Sequence, residues 1–234
     1  MRRRWAVGGI NDAVNVSDAV STRYSVRGYL PDPLPDELIR EVFDIARLAP
    51  SNTNCQPWHV AIVSGDARVR LEAAVCALAD EGVEPNRDFP AAKDAVSGVY
   101  LERRRACGWG YYGTMGVTRE DWEGRSALAR KNFEFFGAPH VAFFSMPQVM
   151  GHSNAVDMGI FLQTVMLVMH EKGIGCIAQG ALANYPDPVR EIADIPAENG
   201  ILFGLSFGYE DRDAHINTVR MPREPLDIIS SFTS

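Results

Sequence analysis

The sequence predicts a three-layer domain of the α+β or α/β class, with helices packed against a β-sheet. Helical periodicity covers more of the 234 residues than strand patterns do, and the strand candidates are scattered among the helices. No internal repeat is visible, and 46% of the residues are hydrophobic, which suffices for one buried core. We therefore expect residues 1–234 to form a single domain.

In the first part of the chain, a helix precedes a strand. Apolar residues within 35–48 recur at three- and four-residue spacing, and Pro50 prevents this helix from continuing. The strand candidate is the run at residues 58–63, which Ser and Gly follow. Asp66 then stands where the cap of a second helix is expected.

The second part of the chain begins with a weak pattern between residues 82 and 139, where we expect mobile helices and loops. A strand follows at residues 141–145, and an apolar helix at about residues 153–172 ends before Gly173, which takes a C-cap role. The apolar stretch of this helix is too short and too interrupted to cross a bilayer of about 30 Å, so we expect a buried helix. The last strand candidate is at residues 201–207.

Composition argues against several classes of function. The 23 Lys and Arg against 30 Asp and Glu give a net charge of −7, which disfavours nucleic-acid binding and membrane-surface binding. The four cysteines are widely separated, and neither they nor the five histidines form a ligand pattern, so we expect no metal site and no disulfide scaffold. Free cysteines indicate a reducing compartment, the cytoplasm.

Two glycine motifs match catalytic signatures without their structural context. Residues 108–113 match Gly-x-Gly-x-x-Gly, but no strand precedes them, so we interpret them as an aromatic loop. Residues 204–208 match Gly-x-Ser-x-Gly after a strand, which makes Ser206 the candidate nucleophile of a serine hydrolase. Too little chain follows for the usual acid and histidine, so this function is kept only as an alternative. Cys55 with His59 is a second candidate pair, although Cys55 is more simply a packing residue in a tight loop.

Polar and basic side chains concentrate in three short segments. The loop at residues 49–60, APSNTNCQPWHV, carries several small hydrogen-bonding side chains between two prolines. Arg23, Ser25 and Arg27 occupy alternate positions, so an extended chain would present all three on one face. Two more arginines lie at residues 220–223. Because guanidinium forks suit phosphate oxygens, these segments indicate a phosphate-containing ligand, although each alone also fits a solvated surface.

Together these segments resemble the FMN-dependent nitroreductase family. The matching motifs are Arg-x-Ser-x-Arg-x-Tyr at residues 23–29, Ala-Pro-Ser-x-x-Asn-x-Gln-Pro-Trp at 49–58, Gly-Tyr at 208–209 and an Arg-x-Pro-Leu-like tail at 220–226. The helix around residues 157–175 is also similar to the central dimer helix of that family. The resemblance covers most of the chain except residues 82–139, where family members differ most.

The resemblance implies an α+β fold, namely a three-layer α/β/α sandwich with a mostly antiparallel sheet, in a domain-intertwined homodimer. Residues 1–20 would be an N-terminal extension, residues 82–139 a variable region over the active site and residues 208–234 a C-terminal tail. The implied activity is that of an FMN-dependent oxidoreductase, with FMN at the subunit interface. NADH or NADPH would reduce it, and a small electron-poor aromatic acceptor, such as a nitroaromatic compound or a quinone, would reoxidise it in a ping-pong cycle.

The resemblance also supplies candidate FMN contacts. Arginines and polar groups near both chain ends would hold the phosphate and the flavin, the polar loop would reach the flavin or its ribityl chain, and the segment around residue 179 would offer backbone to the ring edge carrying N5. These residues are Arg23, Tyr24, Ser25, Arg27, Ser51, Asn52, Asn54, Gln56, Ala178, Gln179, Gly180, Arg220 and Arg223. Gln179 departs from a common family pattern, which has an acidic residue in that segment.

No catalytic side chain is required, because flavin N5 would carry the hydride. Trp109, Tyr111, Tyr112 and Phe133 are candidates for an aromatic wall over the ring, where planar acceptors would stack, and they fit a protein core equally well. Reductive dehalogenation or dehydrogenation within the same family, and non-enzymatic flavin binding, are further alternatives.

Overall fold

A four-stranded antiparallel sheet lies at the centre of the fold in the computed structural model, which describes residues 15–90 and 96–233. Its strands are β1 (His59–Ser64), β2 (His140–Pro147), β3 (Gly175–Gln179) and β4 (Asn199–Gly208), in the spatial order β1-β2-β4-β3. A parallel bridge between Ser25 and Cys176 places the N-terminal segment along the outer edge of β3. β1 forms the opposite edge of the sheet.

Eight α-helices are present in the described ranges. They are α1 (Val16–Thr22), α2 (Asp36–Ala46), α3 (Gly65–Asp80), α4 (Gly98–Thr114), α5 (Trp122–Arg130), α6 (His152–Glu171), α7 (Pro186–Ile192) and α8 (Leu226–Ile229). None of them combines the length and the apolar character that crossing a bilayer requires. Residues 1–14 of the expected N-terminal extension and residues 91–95 of the expected variable region lie outside the described residues.

The helices cover both faces of the sheet, and β2 shows this most directly. Ala142 and Phe144 pack into a core with α2 and α6, whereas Val141 and Phe143 pack into a second core with α3 and α7. This alternation follows from the strand period of two, with both faces buried. The predicted α+β class and the α/β/α sandwich around an antiparallel sheet are confirmed.

Six predicted elements occur close to their predicted positions: α2, β1, α3, β2, α6 and β4. Gly173 follows α6 with a φ of +72°, the left-handed conformation expected of the residue that ends a helix. Strand β3 was not predicted. It has only five residues and begins with a glycine, so it gives too weak a periodic signal.

Three local expectations are wrong. Residues 108–113 are not a loop but continue helix α4, because their aromatic side chains pack along one helix and outweigh its glycines. Asp66 does not cap α3, which begins at Gly65 after Ser64 without a side-chain cap. Helix α6 is not wholly buried, since the Val156 side chain is 62% exposed and that of Ile160 is 39% exposed.

His140, the first residue of β2, connects this strand to Leu34 before α2 and to Ser64 at the end of β1. Its side chain is buried, with Nε2 accepting the Leu34 N–H at 2.8 Å and Nδ1 facing the Ser64 hydroxyl. Its ring stacks on Phe207 at 5.3 Å between centroids. Because Nε2 must accept, the imidazole is neutral, and burial holds the pKa of His140 below its ordinary value.

We expect the free energy of unfolding to fall as the pH is lowered through about 6.5, the ordinary histidine value. Above that pH both states are neutral at this site, whereas below it the unfolded chain binds the proton first, so acid favours unfolding. Burial also lowers the pKa of His170, which contributes in the same direction. Between pH 5 and 7.5, the urea midpoint of unfolding should depend less on pH in His140→Gln and in His170→Gln than in the wild type. If the urea midpoint of His140→Gln varied with pH as steeply as that of the wild type, the neutral, buried His140 would not be a source of the pH dependence.

Candidate active site

The N-terminal segment lies extended beside β3. The Val26 N–H donates to the Cys176 carbonyl at 3.1 Å, and the Val26 side chain is buried. Gly175 approaches Val26 so closely that a Cβ on the glycine would lie 2.9 Å from a Val26 methyl. Because side chains alternate along an extended chain, Ser25 and Arg27 lie on the side opposite Val26, as predicted.

The amide of Asn217 holds the C-terminal segment against this N-terminal segment. Its Oδ1 accepts the backbone N–H groups of Arg27 at 2.6 Å and Gly28 at 3.1 Å. Its Nδ2 donates to the carbonyls of Gly28 at 2.8 Å and Asp211 at 2.9 Å. Asn217 is only 5% exposed, so these four bonds form away from water and fix the two segments relative to each other.

These contacts bring the predicted arginines of both chain ends around one pocket of about 460 Å³. The predicted site residues that line it are Arg23, Tyr24, Ser25, Arg27, Arg220 and Arg223. Cys107 of α4 lines the same pocket and was not predicted. Both N- and C-terminal arginine clusters therefore belong to one site in the protomer.

Three arginines of this pocket donate to backbone carbonyls. Arg27 donates to the Ser25 carbonyl at 3.2 Å, Arg220 to the Asn217 carbonyl at 2.6 Å and Arg223 to the Met221 carbonyl at 3.0 Å. None of the pocket arginines forms an ion pair with an acidic side chain in residues 15–90 or 96–233. Burial lowers the pKa of Arg27, which again favours an anionic ligand at this position.

Tyr24 orients one of these arginines. The Arg220 guanidinium carbon lies 3.4 Å from the centroid of the Tyr24 ring, within the range of a cation–π contact. The Tyr24 hydroxyl donates to the Glu210 carboxylate. Burial and this carboxylate raise the pKa of Tyr24, so the phenol keeps its proton and adds no negative charge to the pocket.

The polar loop adopts a strained conformation that exposes its side chains. Thr53, Asn54 and Gln56 have φ values of +50°, +58° and +48°, which are uncommon for residues other than glycine. The Ser51 hydroxyl accepts the Gln56 N–H at 2.9 Å and holds the loop closed. The side chains of Asn52, Asn54 and Gln56 are exposed, and they do not line the arginine pocket of the same protomer.

Asp157 anchors this loop to helix α6. Its side chain is 3% exposed, and Oδ1 accepts the Asn52 N–H at 2.9 Å, while Oδ2 has no partner among the described residues. One turn further on, Phe161 stacks on Trp58 with 4.6 Å between ring centroids. Asp157 was visible in the sequence as a charge inside an apolar stretch, but its partner was not.

The loop cysteine is not a packing residue, which corrects the expectation for Cys55. Its side chain is exposed in the protomer, and its Sγ atom accepts from the Asn154 amide at 4.0 Å. His59 instead places its Nδ1 atom 3.2 Å from the Ser145 hydroxyl. The nucleophile pair considered for this loop is therefore absent.

Exposed and buried residues alternate at the end of β3. Ala178 and Gly180 are exposed, whereas the Gln179 side chain between them is buried. The Ser25–Cys176 bridge is parallel, so the chain toward Arg27 and the chain toward Ala178 run in the same direction. The exposed residues Ala178 and Gly180 thus lie at the end of the strand that borders the arginine-bearing segment.

Ser206 is not a nucleophile, and the serine hydrolase alternative is wrong. Its side chain is fully buried in β4, and its hydroxyl donates to the amide oxygen of Gln179. His215 is engaged elsewhere, with Nε2 lying 2.8 Å from the Thr114 carbonyl oxygen. Within the described ranges, no group of three or more His, Cys, Asp or Glu side chains is arranged to hold a metal ion.

Three of the four predicted aromatic wall residues share helix α4. The ring centroids of Tyr111 and Tyr112 are 5.6 Å apart, and those of Trp109 and Tyr112 are 5.7 Å apart. The guanidinium carbon of Arg27 lies 5.3 Å from the centroid of the Tyr111 ring. Phe133 instead packs against Tyr185 at 5.5 Å, in the core formed by α3 and α7. The α4 aromatics therefore border the arginine site, and Phe133 belongs to a different apolar cluster.

Comparison with known proteins gives one consistent family. The model of the nitroreductase family, described as "Nitroreductase family", matches residues 20–209. Nitroreductase NfnB of Mycolicibacterium smegmatis is 42% identical over 216 residues, which cover 92% of this chain and 91% of the relative. A 4-nitrobenzoate reductase of Pseudomonas putida is 35% identical over 214 residues, which cover 91% of this chain and 93% of the relative.

A solved structure agrees with these relatives. The crystal structure of the FMN-dependent nitroreductase NfnB from Mycobacterium smegmatis in complex with NADPH superposes with a TM-score of 0.89 at 38% sequence identity. The match covers 93% of this chain and 97% of that one. Sequence and backbone similarity therefore extend over the whole fold and are not confined to the arginine motifs.

Proposed function

The chain belongs to the nitroreductase family, and on that basis we propose that its arginine pocket holds the phosphate of FMN. The protein is an FMN-dependent oxidoreductase that takes electrons from a reduced nicotinamide. The observation that carries this placement is the set of pocket arginines that form no ion pair with an acidic side chain in the described part of the chain. A phosphate dianion supplies the missing negative charge and accepts charge-assisted hydrogen bonds from guanidinium groups.

The remaining parts of the site fit the rest of the FMN molecule. The exposed residues Ala178 and Gly180 lie at the end of the strand beside the Arg27 segment, where the polar edge of the isoalloxazine ring would lie. The α4 aromatics border the same site and provide flat apolar surface for a planar ring or acceptor. When bound, FMN supplies the hydride chemistry through N5, so the protein needs only to place the ring and to admit the two substrates in turn.

A second copy of the chain would complete this site. Asp157 fixes the polar loop on α6, between the exposed apolar side chains of Val156 and Ile160. A homodimer formed through this α6 face would bury both apolar side chains and carry Asn52, Asn54 and Gln56 toward the FMN of the partner subunit. The exposure of these loop side chains in the protomer supports that arrangement.

The C-terminal tail would intertwine the two subunits. Four large apolar residues of this tail have exposed fractions between 59% and 81%: Leu226, Ile228, Ile229 and Phe232. On the opposite edge of the sheet, β1 lies beside a groove of about 860 Å³, whose lining combines Ile39, Phe43 and Ile62 with charged side chains of α2. An open strand edge accepts an added strand, and we place the partner subunit's tail there.

The acceptor that the relatives support best is a nitroaromatic compound, with quinones as a second electron-poor class. Both are planar, which suits stacking over a flavin between aromatic side chains. The enzyme would work in the cytoplasm, since Cys55, Cys76, Cys107 and Cys176 are all free thiols.

The purified protein should be yellow and lose its flavin absorption under anaerobic NADPH or NADH. A nitroaromatic compound such as 4-nitrobenzoate should then restore the absorption, with parallel lines in a double-reciprocal plot, as a ping-pong cycle requires. Titration with both nicotinamides in the same cell determines which donor is preferred. A colourless protein that takes up no added FMN would contradict the proposal, and one that stays yellow with both donors would contradict the reductase activity.

Arg23→Ala and Arg220→Ala should each weaken FMN binding by about 1.5–3 kcal/mol, because each removes a charged hydrogen bond to the phosphate. That range corresponds to roughly a 10- to 150-fold rise in the dissociation constant, which fluorescence titration of the apoprotein measures. Arg70→Ala is the matched control, since Arg70 is exposed on α3 and lines none of the pockets described above. If Arg23→Ala and Arg70→Ala bound FMN with equal affinity, Arg23 would not contact the phosphate.

The dimer should dissociate when a charge is placed on the α6 face. Ile160→Glu introduces a carboxylate where two apolar faces would meet, so we expect a monomer that also binds FMN poorly. Val69→Glu is the control, because Val69 is 58% exposed on α3, outside the proposed interface. Sedimentation velocity distinguishes the two species. Ile160→Glu that remains a dimer with normal FMN affinity would contradict this interface.

A further inference from the structure

A buried polar pair connects the end of β3 to β4, and its member on β3 lies between the exposed residues Ala178 and Gly180. Ser206 is fully buried and Gln179 is 3% exposed, and they lie on adjacent strands whose register pairs Ile177 with Ser206 and Gln179 with Gly204. The Ser206 hydroxyl donates to Gln179 Oε1. The Gln179 Nε2 donates to the backbone carbonyl of Asn132 at 3.0 Å. Both ends of the Gln179 amide are therefore engaged.

The orientation of this amide is fixed by chemistry. The Asn132 carbonyl only accepts, so the donor end of Gln179 must face it, and the acceptor end must face the serine hydroxyl. A carboxylate in place of the amide would keep the bond from Ser206 but would set a second acceptor against the Asn132 carbonyl. The interior at this position therefore selects a neutral side chain that donates at one end and accepts at the other.

The segment that Gln179 holds is a strained turn. Phe135, Phe136 and Gly137 have φ values of +52°, +53° and +78°, three consecutive residues in the left-handed region. The Arg68 Nη2 atom donates to the Glu134 carbonyl at 3.2 Å and gives the turn a second tether. Phe136 packs in one apolar cluster with Ile177 of β3, and Tyr111 of α4 packs against the same cluster. The turn thus supports both β3 and the α4 aromatics from behind.

We propose that Gln179 is a positioning residue, which, with Ser206 as its donor, locks the end of β3 to the turn at residues 132–137 and so sets the 178–180 backbone against the flavin ring. This inference rests on the proposed function, which places the ring edge at that backbone. Gln179 acts from the interior side of β3, while Ala178 and Gly180 on either side of it are exposed. Its amide thus controls the height and tilt of the peptide groups at the ring edge without touching the ring.

The test uses the full chain with and without FMN. Gln179→Met keeps the length of the side chain and removes its three hydrogen bonds, one from Ser206 and two to the backbone and side-chain oxygens of Asn132. Ser206→Ala removes only the first, and Gln179→Glu preserves the bond from Ser206 while removing the donor to Asn132. Gln148→Met and Gln148→Glu are the matched controls, because Gln148 is exposed after β2 and its side chain forms no hydrogen bond with a described residue. Each protein is measured for FMN affinity, visible flavin spectrum and two-electron midpoint potential. Hydrogen exchange of residues 132–137 is followed in the FMN-free form.

We expect Gln179→Met to change the ratio of affinities for oxidised and reduced FMN about tenfold, which shifts the two-electron potential by about 30 mV. The flavin bands should move with it, and exchange in the turn should accelerate before FMN is added. Ser206→Ala should shift the potential in the same direction by less, and the double variant should resemble Gln179→Met alone, since both changes break one network.

Unchanged potential, spectrum and exchange in variants that bind FMN would overturn the inference while leaving the proposed function intact. If Gln179→Met fails to fold, the same measurements on Gln179→Glu and Ser206→Ala test the inference, and unchanged values in both variants would overturn it. A wild-type protein without FMN affinity contradicts the proposed function itself and with it the ring edge at residues 178–180, and this result is seen before any variant is compared. Equal effects in the Gln148 controls would likewise count against a special role of Gln179.

Discussion

The carboxamide of Asn217 is the interaction on which the arginine pocket depends. Guanidinium groups repel one another, by about 1 kcal/mol for a pair 4 Å apart in water and by more where water is excluded. The protein nevertheless gathers arginines from both terminal segments around one pocket, and no acidic side chain among the described residues forms an ion pair with them. Asn217 offsets this repulsion with neutral hydrogen bonds to the backbone of Arg27, Gly28 and Asp211, which add no negative charge to the pocket. Gly28 permits the approach, since a Cβ there would lie 2.6 Å from that of Ala214.

The site consists of two halves that differ in their mechanics. The charged half is rigid within the protomer, because β3, the N-terminal segment and Asn217 fix it. The polar half, at residues 51–56, is a strained loop that one buried carboxylate, Asp157, ties to α6. Its left-handed residues direct their side chains away from their own protomer. Strain of this kind persists only where surrounding structure compels it, and here the compelling contact is on the helix that would meet a second subunit.

Sequence predicted what local physics determines. Apolar periodicity located α2 and α6, apolar runs located the three longer strands, and alternate spacing indicated that Arg23, Ser25 and Arg27 share a face. It failed where local propensity and tertiary packing disagree, as in α4, whose three glycines between residues 108 and 113 suggested a loop. The contacts of Asn217 and Asp157 connect residues about 190 and 105 positions apart, and no local pattern encodes such pairing. Gln179 matched a family position, yet only its buried partners explain why an amide stands there.

The arginine pocket also determines when the chain becomes competent to hold a ligand. One wall comes from residues 23–27 and the other from residues 219–223, so almost the whole polypeptide lies between them. During synthesis the first wall leaves the ribosome about 190 residues before the second, and the loop closed by Asn217 costs entropy that only the folded sheet can offset. A nascent chain that ends before residue 219 therefore lacks half of the pocket. Ligand capture at this pocket has to wait until both walls have been synthesised and the sheet between them has folded.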